Sequence, residues 1–299
     1  MKLNALALKD KKVFARFLRS RRHALSVYAF ENIYIWKKLF QVRWAVIEGN
    51  LCVFFRDKLG CFLYLPPLGA EINPLVIKKA FEVMDGFNKN SQVSRIENIE
   101  AADLGFFKEL GYLCQEKSRD YLYSRRELVN LKGKRFESKR SSLNYFTKHY
   151  RFDYLPFSKS AIGGSLQLYA SWMAQRSQKN NDPFYKWMLG DSLSCLKVLL
   201  KDYRGLDLAG RVVRIKGQIK GFTFGFPLNP DTFCILYEIT DFSFKGLAQF
   251  IFREFCEELK GYRYINVMDD SGLANLKQVK VSYRPLKLIP AYIAKRRDA

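Results

Sequence analysis

Histidine is almost missing from this chain. Only His23 and His149 occur in 299 residues, and none of the six cysteines (Cys52, Cys61, Cys114, Cys195, Cys234, Cys256) forms a Cys-x-x-Cys pair. Without such spacing no Cys/His set suits tetrahedral zinc, no metal site is expected, and a Ser–His–Asp site has few candidates. Several cysteines sit in strand-like apolar runs, such as Cys52 within residues 51–55 and Cys234 within residues 232–237. They read as buried, reduced thiols of a cytoplasmic protein. No stretch approaches the roughly 18 apolar residues that a membrane span needs. The apolar part of residues 1–12 is also too short for a signal peptide. Any membrane contact is therefore expected to be peripheral.

Acidic residues are scarce as well. Against 51 Lys+Arg stand 29 Asp+Glu, a formal net charge of +22. Hydrophobic residues make up 48% of the chain, enough for real cores, so the charge does not signal disorder. Solubility needs a net charge of only about 2–8. The surplus points to anionic partners: nucleic acid, lipid head groups or nucleotide cofactors. The length suits about two domains of about 150 residues, and we place them at 1–150 and 151–299.

The hydrophobic periodicity reads as an α/β chain. Helices are expected at 11–22 and 28–40, followed by an antiparallel meander of Trp44–Gly49, Leu51–Phe55 and Cys61–Leu65. Asn73-Pro74 then opens a helix as N-cap and first residue. A strand near Ile96, a short element over 103–110 and a strand at Tyr121–Tyr123 complete the first half. The second half repeats the order. Helices at 160–176 and from Asp182-Pro183 to about 203 precede strands at 206–217, 219–228 and 232–239. A helix (246–259), a strand (262–268), a helix (272–282) and a last strand (286–295) follow. This order is similar to that of GNAT-type acyltransferases. It implies two tandem units, each a mixed, mostly antiparallel sheet flanked by helices.

Three segments carry candidate chemistry. After the strand 232–239 the chain reads Glu238 to Ala248 and enters a helix. Gly246 and Ala248 form a small-residue turn that lets backbone N–H groups approach a phosphate, with Ser243 beside it. Glu238, at the strand end, is a candidate general base toward an amine. The second segment runs from Asn266 to Pro285. There Leu276, Lys280 and Tyr283 share a helix face, which puts a lysine on an apolar stripe. Lys280 could neutralise a phosphate or an oxyanion, Tyr283 could protonate a leaving group, and Asp270, Asn266 and Lys277 lie alongside. The third segment, Leu131–Phe146, sets Lys139 among Phe136, Leu143 and Phe146. Lys132, Lys134, Arg135 and Arg140 surround it with positive charge, and Arg284 adds to the anion- or RNA-binding set. Lys139 and Lys280 are expected to point inward to a shared cavity between the strand ends at 238 and 266.

These residues resemble the phosphatidylglycerol lysyltransferase C-terminal-like family, long catalogued as a domain of unknown function. Phe30, Asn32, Tyr34 and Trp36, and then Pro66-Pro67-Leu68-Gly69, look like its opening elements. Asp120-Tyr121-Leu122-Tyr123 through Leu131-Lys132-Gly133-Lys134 and Lys139-Arg140 looks like its middle element. Asn266, Asp270, Gly272, Leu276, Lys280, Ser282, Tyr283 and Pro285 match its C-terminal signature. Met268 stands where the family usually has Glu, Lys277 where it has Arg, and Ser141 where Asn often follows. If that Glu is catalytic in relatives, its absence implies an altered or inactive protein, and Lys for Arg keeps charge but loses bidentate phosphate geometry.

The resemblance implies tandem GNAT-like domains related to the Fem-type enzymes, which move an aminoacyl group from a charged tRNA to an amine or hydroxyl. The lysyltransferases also carry membrane helices, absent from these residues. The expected activity is an acyltransferase using aminoacyl-tRNA as co-substrate, with no covalently bound cofactor. Its donor would lie at Gly246–Ala248 in the C-terminal domain. Two readings compete with it: an N-acyltransferase using acyl-CoA, and a non-catalytic basic module that binds RNA or an anionic surface.

Overall fold

The computed structural model describes residues 2–297. The chain divides into two compact units. The first comprises the residues up to Asp120, residues 269–274 and the chain from Leu288 on, and the second comprises Tyr121–Met268 and Asn275–Lys287.

The first unit opens with strand β1 (Asn4–Ala5) and helices α1 (Lys11–Leu18) and α2 (Phe30–Ile35), all six residues of α2 being buried. Strands β2 (Gln41–Ile47), β3 (Asn50–Arg56) and β4 (Cys61–Leu63) form the expected meander, with Trp44 opposite Val53 and Phe55 opposite Phe62. Glu48 and Gly49 join the first two strands with φ of 48° and 75°. Two residues with positive φ give a hairpin turn whose twist matches its strands. Helix α3 (Pro74–Asp85) starts as its sequence dictates: Asn73 accepts the Val76 N–H at 3.0 Å and Pro74 sits in the first turn. Strand β5 (Arg95–Glu100) runs parallel to β4, and helix α4 (Leu104–Glu109) leads into strand β6 (Leu113–Ser124).

The second unit begins inside β6 and continues through helices α5 (Arg125–Asn130) and α6 (Glu137–His149) and strand β7 (Asp153–Pro156). Two long helices follow, α7 (Ile162–Lys179) and α8 (Pro183–Asp202), the latter capped by Asp182. Strands β8 (Ala209–Ile215), β9 (Gln218–Asn229) and β10 (Thr232–Thr240) form the second meander. Helix α9 (Leu247–Glu258), strand β11 (Tyr264–Asn266), helix α10 (Ala274–Ser282) and strand β12 (Lys287–Lys295) close the chain. Within this unit the strand order is β6-β11-β10-β9-β8-β7, with β10 and β11 parallel and the other neighbours antiparallel.

The two domains were expected to part at 150/151; the compact units instead part at 120/121. The reason is apolar packing. Helix α6 puts Phe146, fully buried, against Leu247, Phe250 and Ile251 of α9 and Val213 of β8. Ring pairs Phe146–Phe250 at 4.9 Å and Phe152–Phe250 at 4.5 Å hold the same core. The last strand was assigned to the second domain. Yet β12 pairs with β5, Ala291 opposite Glu100, and so belongs to the first unit. The place beside β11 is taken by residues 122–124 of β6.

All six cysteines are free, and Cys114 alone is not fully buried. Among the described residues no helix is long and apolar enough to cross a membrane. No three His, Cys, Asp or Glu side chains converge there as a metal would require.

Candidate active site

Strand β10 carries an extra residue. Ile235 pairs with Gly225 and Tyr237 with Phe224, so Leu236 is left as a bulge. Such a bulge re-aims the side chains that follow it. Tyr237 turns toward α8, where its hydroxyl donates to the Ser192 carbonyl at 2.8 Å. Its neighbour Glu238, opposite Thr223 in β9, therefore projects from the other face. There its Oε2 is buried and accepts no hydrogen bond. Removal from water disfavours the anion and pushes the Glu238 carboxyl up from 4.5 to about 8. In turn its charge helps burial to push up the Tyr283 phenol and the Cys256 thiol. An acid whose proton is exchanged near neutral pH is a competent general base.

Tyr283 follows α10 directly and packs edge-on against Phe252 of α9, ring centroids 4.9 Å apart. Burial, with Glu238 beside it, keeps the phenol protonated at neutral pH, so it can donate. The Lys139 ammonium lies 4.2 Å from the centre of the same ring and donates to Ser282 Oγ at 2.7 Å. Burial lowers the pKa of this amine. The Lys280 ammonium donates to the carbonyls of Val267 at 2.5 Å and Met268 at 3.3 Å. Both lysines thus point inward, as the apolar stripes of α6 and α10 imply. They end on protein groups of the second unit. Two hollows of about 520 and 220 Å³ lie in the first unit, lined by Leu3, Lys79 and Phe87 and by Arg43, Arg56 and Cys61, not at the strand ends 238 and 266.

Asn266 ends β11 fully buried, and its side-chain oxygen accepts the Met268 N–H at 2.7 Å. This bond supports the left-handed Met268, whose φ is 63°. The Met268 carbonyl also accepts the Tyr121 N–H at 3.1 Å. Asn266 therefore shapes the loop that Lys280 clamps. Asp270, in the segment 269–274 of the first unit, accepts the Gly272 N–H at 3.0 Å and caps a turn. Lys277 is exposed on α10, and exposed Arg284 has a φ of 57°.

The turn before α9 has a different origin from the one its glycine suggested. Gly246 has a φ of 87°, and a Cβ there would lie 2.0 Å from the Ser142 carbonyl oxygen of α6. Close approach of two helices is enough to require glycine, whatever Ala248 and the turn bind. Exposed Ser243 gives its N–H to Asp241 at 2.9 Å. In the basic segment, Lys132 and Lys134 are exposed and Arg135 pairs with Glu127. Arg140 donates to the carbonyls of Gly133, at 2.7 Å, and of Leu131, so it closes the end of α5. Sequence reasoning did not single out Cys256 or Tyr123. The Tyr123 hydroxyl donates to the Lys280 carbonyl at 2.8 Å, and the Asp-Tyr-Leu-Tyr motif was the signal available for it.

With this geometry in hand, the chain can be placed among known proteins. Residues 19–295 match the model of the phosphatidylglycerol lysyltransferase, C-terminal family. The chain belongs to this family. It is a family of transferases, and the mixed α/β architecture is that of tandem GNAT-like units. A conserved protein of unknown function from Bacteroides thetaiotaomicron is 26% identical, with a TM-score of 0.87 over 99% of this chain and 100% of that one. L-PGS from Bacillus licheniformis is similar at 20% identity and a TM-score of 0.65, over 97% of this chain and 93% of that one. FemX is similar at 11% identity and a TM-score of 0.63, over 99% and 98%. The last two likenesses are of fold.

Proposed function

We propose that this chain moves an aminoacyl group from aminoacyl-tRNA to an amine or hydroxyl acceptor, with Glu238 as general base. The observation that carries this reading is the buried, unpartnered Oε2 of Glu238, raised to about 8 beside a protonated phenol. Membership of the phosphatidylglycerol lysyltransferase family and the net charge of +22 support an aminoacyl group and a polyanionic donor.

In this mechanism the Glu238 carboxylate takes the proton from the acceptor as its nitrogen or oxygen attacks the donor's ester carbonyl. A new C–N or C–O bond forms, and the oxyanion is met by positive charge from Lys139 or Lys280. The ester C–O bond then breaks and the ribose oxygen takes the proton of Tyr283. Glu238 returns its proton to Tyr283, and both groups are restored. Each proton transfer by a placed side chain contributes about 10²–10⁴ in rate.

The packing of Gly246 on Ser142 leaves the acyl-CoA reading with less support, because that glycine no longer calls for a pyrophosphate. A module that merely binds polyanions has no need of a desolvated acid. The test is transfer of a radiolabelled aminoacyl group from charged tRNA, with acyl-CoA in parallel, to amine and hydroxyl acceptors. Label transfer that is lost in Glu238→Gln supports the proposal. Turnover with acyl-CoA alone, or salt-sensitive RNA binding without any turnover, overturns it.

A further inference from the structure

Arg176, in the last turn of α7, lies against two neighbouring aromatic rings, Trp172 and Phe242, whose centroids are 6.5 Å apart. Its guanidinium carbon is 4.7 Å from the centre of Phe242 and 5.4 Å from that of Trp172. The Nε–H is buried and meets no hydrogen-bond acceptor, and no carboxylate pairs with this cation among the described residues. Two more cations lie on rings around the same loop, 241–246. Lys220 is 5.6 Å from the centre of Phe244, and Lys245 is 4.7 Å from that of Tyr145. The acid of the loop, Asp241, is engaged by Lys220 at 3.1 Å and by the Ser243 N–H. Positive charge at this loop thus exceeds negative.

We propose that Arg176 receives a phosphodiester of single-stranded RNA, with Phe242 as the platform for an adjacent base. A guanidinium held by ring faces has already lost much of its side-chain freedom and keeps a planar edge of donors, the geometry that suits a phosphate. Phe242 is 45% exposed although it lies between Asp241 and Ser243. A large ring left in water beside a cation suits base stacking, which tolerates any sequence. The polar flanks argue against insertion into a bilayer, which favours a broad apolar face. The inference rests on the reading that the donor is carried on RNA, and it names where that RNA is held.

The test uses the full chain and a fluorescein-labelled single-stranded RNA of about a dozen nucleotides, followed by anisotropy at several salt concentrations. Arg176→Met should weaken binding by about tenfold or more and reduce the salt slope by about one. Phe242→Ala should weaken binding by about fivefold or more and leave the slope unchanged. Thermal unfolding checks that each variant is folded, and the exposed Phe242 supplies a variant that keeps the core intact. RNA affinity within twofold of wild type in both variants overturns the proposal. So does loss of sedimentation with phosphatidylglycerol vesicles while RNA binding is unchanged. Failure of the transferase reading is separable. RNA binding through Arg176 without any aminoacyl transfer refutes that reading alone. Transfer by Arg176→Met with an unchanged KM for charged tRNA refutes this inference alone.

Discussion

Replacing Glu238 by Gln should make the protein more stable and less active at once. In the folded chain burial holds the carboxyl at about 8, against 4.5 when exposed. A raised carboxyl pKa means that the folded state keeps a proton which the unfolded state releases. Stability from this group is therefore lost as pH rises from 4.5 toward 8, and below 4.5 both states are protonated. At pH 7 the difference spans about 2.5 pH units at about 1.36 kcal/mol each, or about 3 kcal/mol. Glutamine has nearly the same shape and no charge to desolvate. Urea unfolding of wild type and variant at pH 5, 6, 7 and 8 gives a difference curve in which all other groups cancel. The variant's advantage should grow with pH by about 1 kcal/mol per unit and level off near 8. Aminoacyl transfer should fall by about 10²–10⁴, and the wild-type rate should climb with pH up to about 8. A flat difference curve would refute the claim that Glu238 is desolvated. An active Glu238→Gln enzyme would refute its role as base.

Other expectations follow from the same unit. Gly246→Ala drives a Cβ to 2.0 Å from the Ser142 carbonyl at a left-handed φ of 87° and should cost about 2–4 kcal/mol, read by urea unfolding; a loss below about 0.5 kcal/mol would show that α6 and α9 are not so closely apposed. Lys280→Ala removes the charged donor to the Val267 and Met268 carbonyls. Transfer should be abolished, with a stability loss of about 1.5–3 kcal/mol and unfolding still cooperative; full activity would exclude its role. Tyr283→Phe keeps the ring against Phe252 and Lys139 and loses only the hydroxyl, so kcat should drop by about 10² or more while stability changes by under about 1 kcal/mol; an unchanged kcat would remove Tyr283 as acid.

Much of this protein was readable from local chemistry. Asn73-Pro74 and Asp182-Pro183 mark helix starts because a short acceptor side chain and a fixed proline φ act within three residues. The strands of both meanders follow from short apolar runs bounded by turn residues, and the inward aim of Lys139 and Lys280 follows from helical spacing alone. Three decisions belong to the tertiary structure. Residues 288–295 joined the first unit by pairing β12 with β5, a choice among strands far apart in sequence that no local preference records. Gly246 looked like a phosphate turn until the Ser142 carbonyl occupied the place of its missing side chain. The proton affinity of Glu238 was invisible, because it is set by a bulge at Leu236 and by what covers the carboxyl rather than by its neighbours in the chain. Capping and periodicity are short-range properties of the backbone and are written in the sequence. Strand pairing, close approach and desolvation depend on atoms brought together only when the chain has folded.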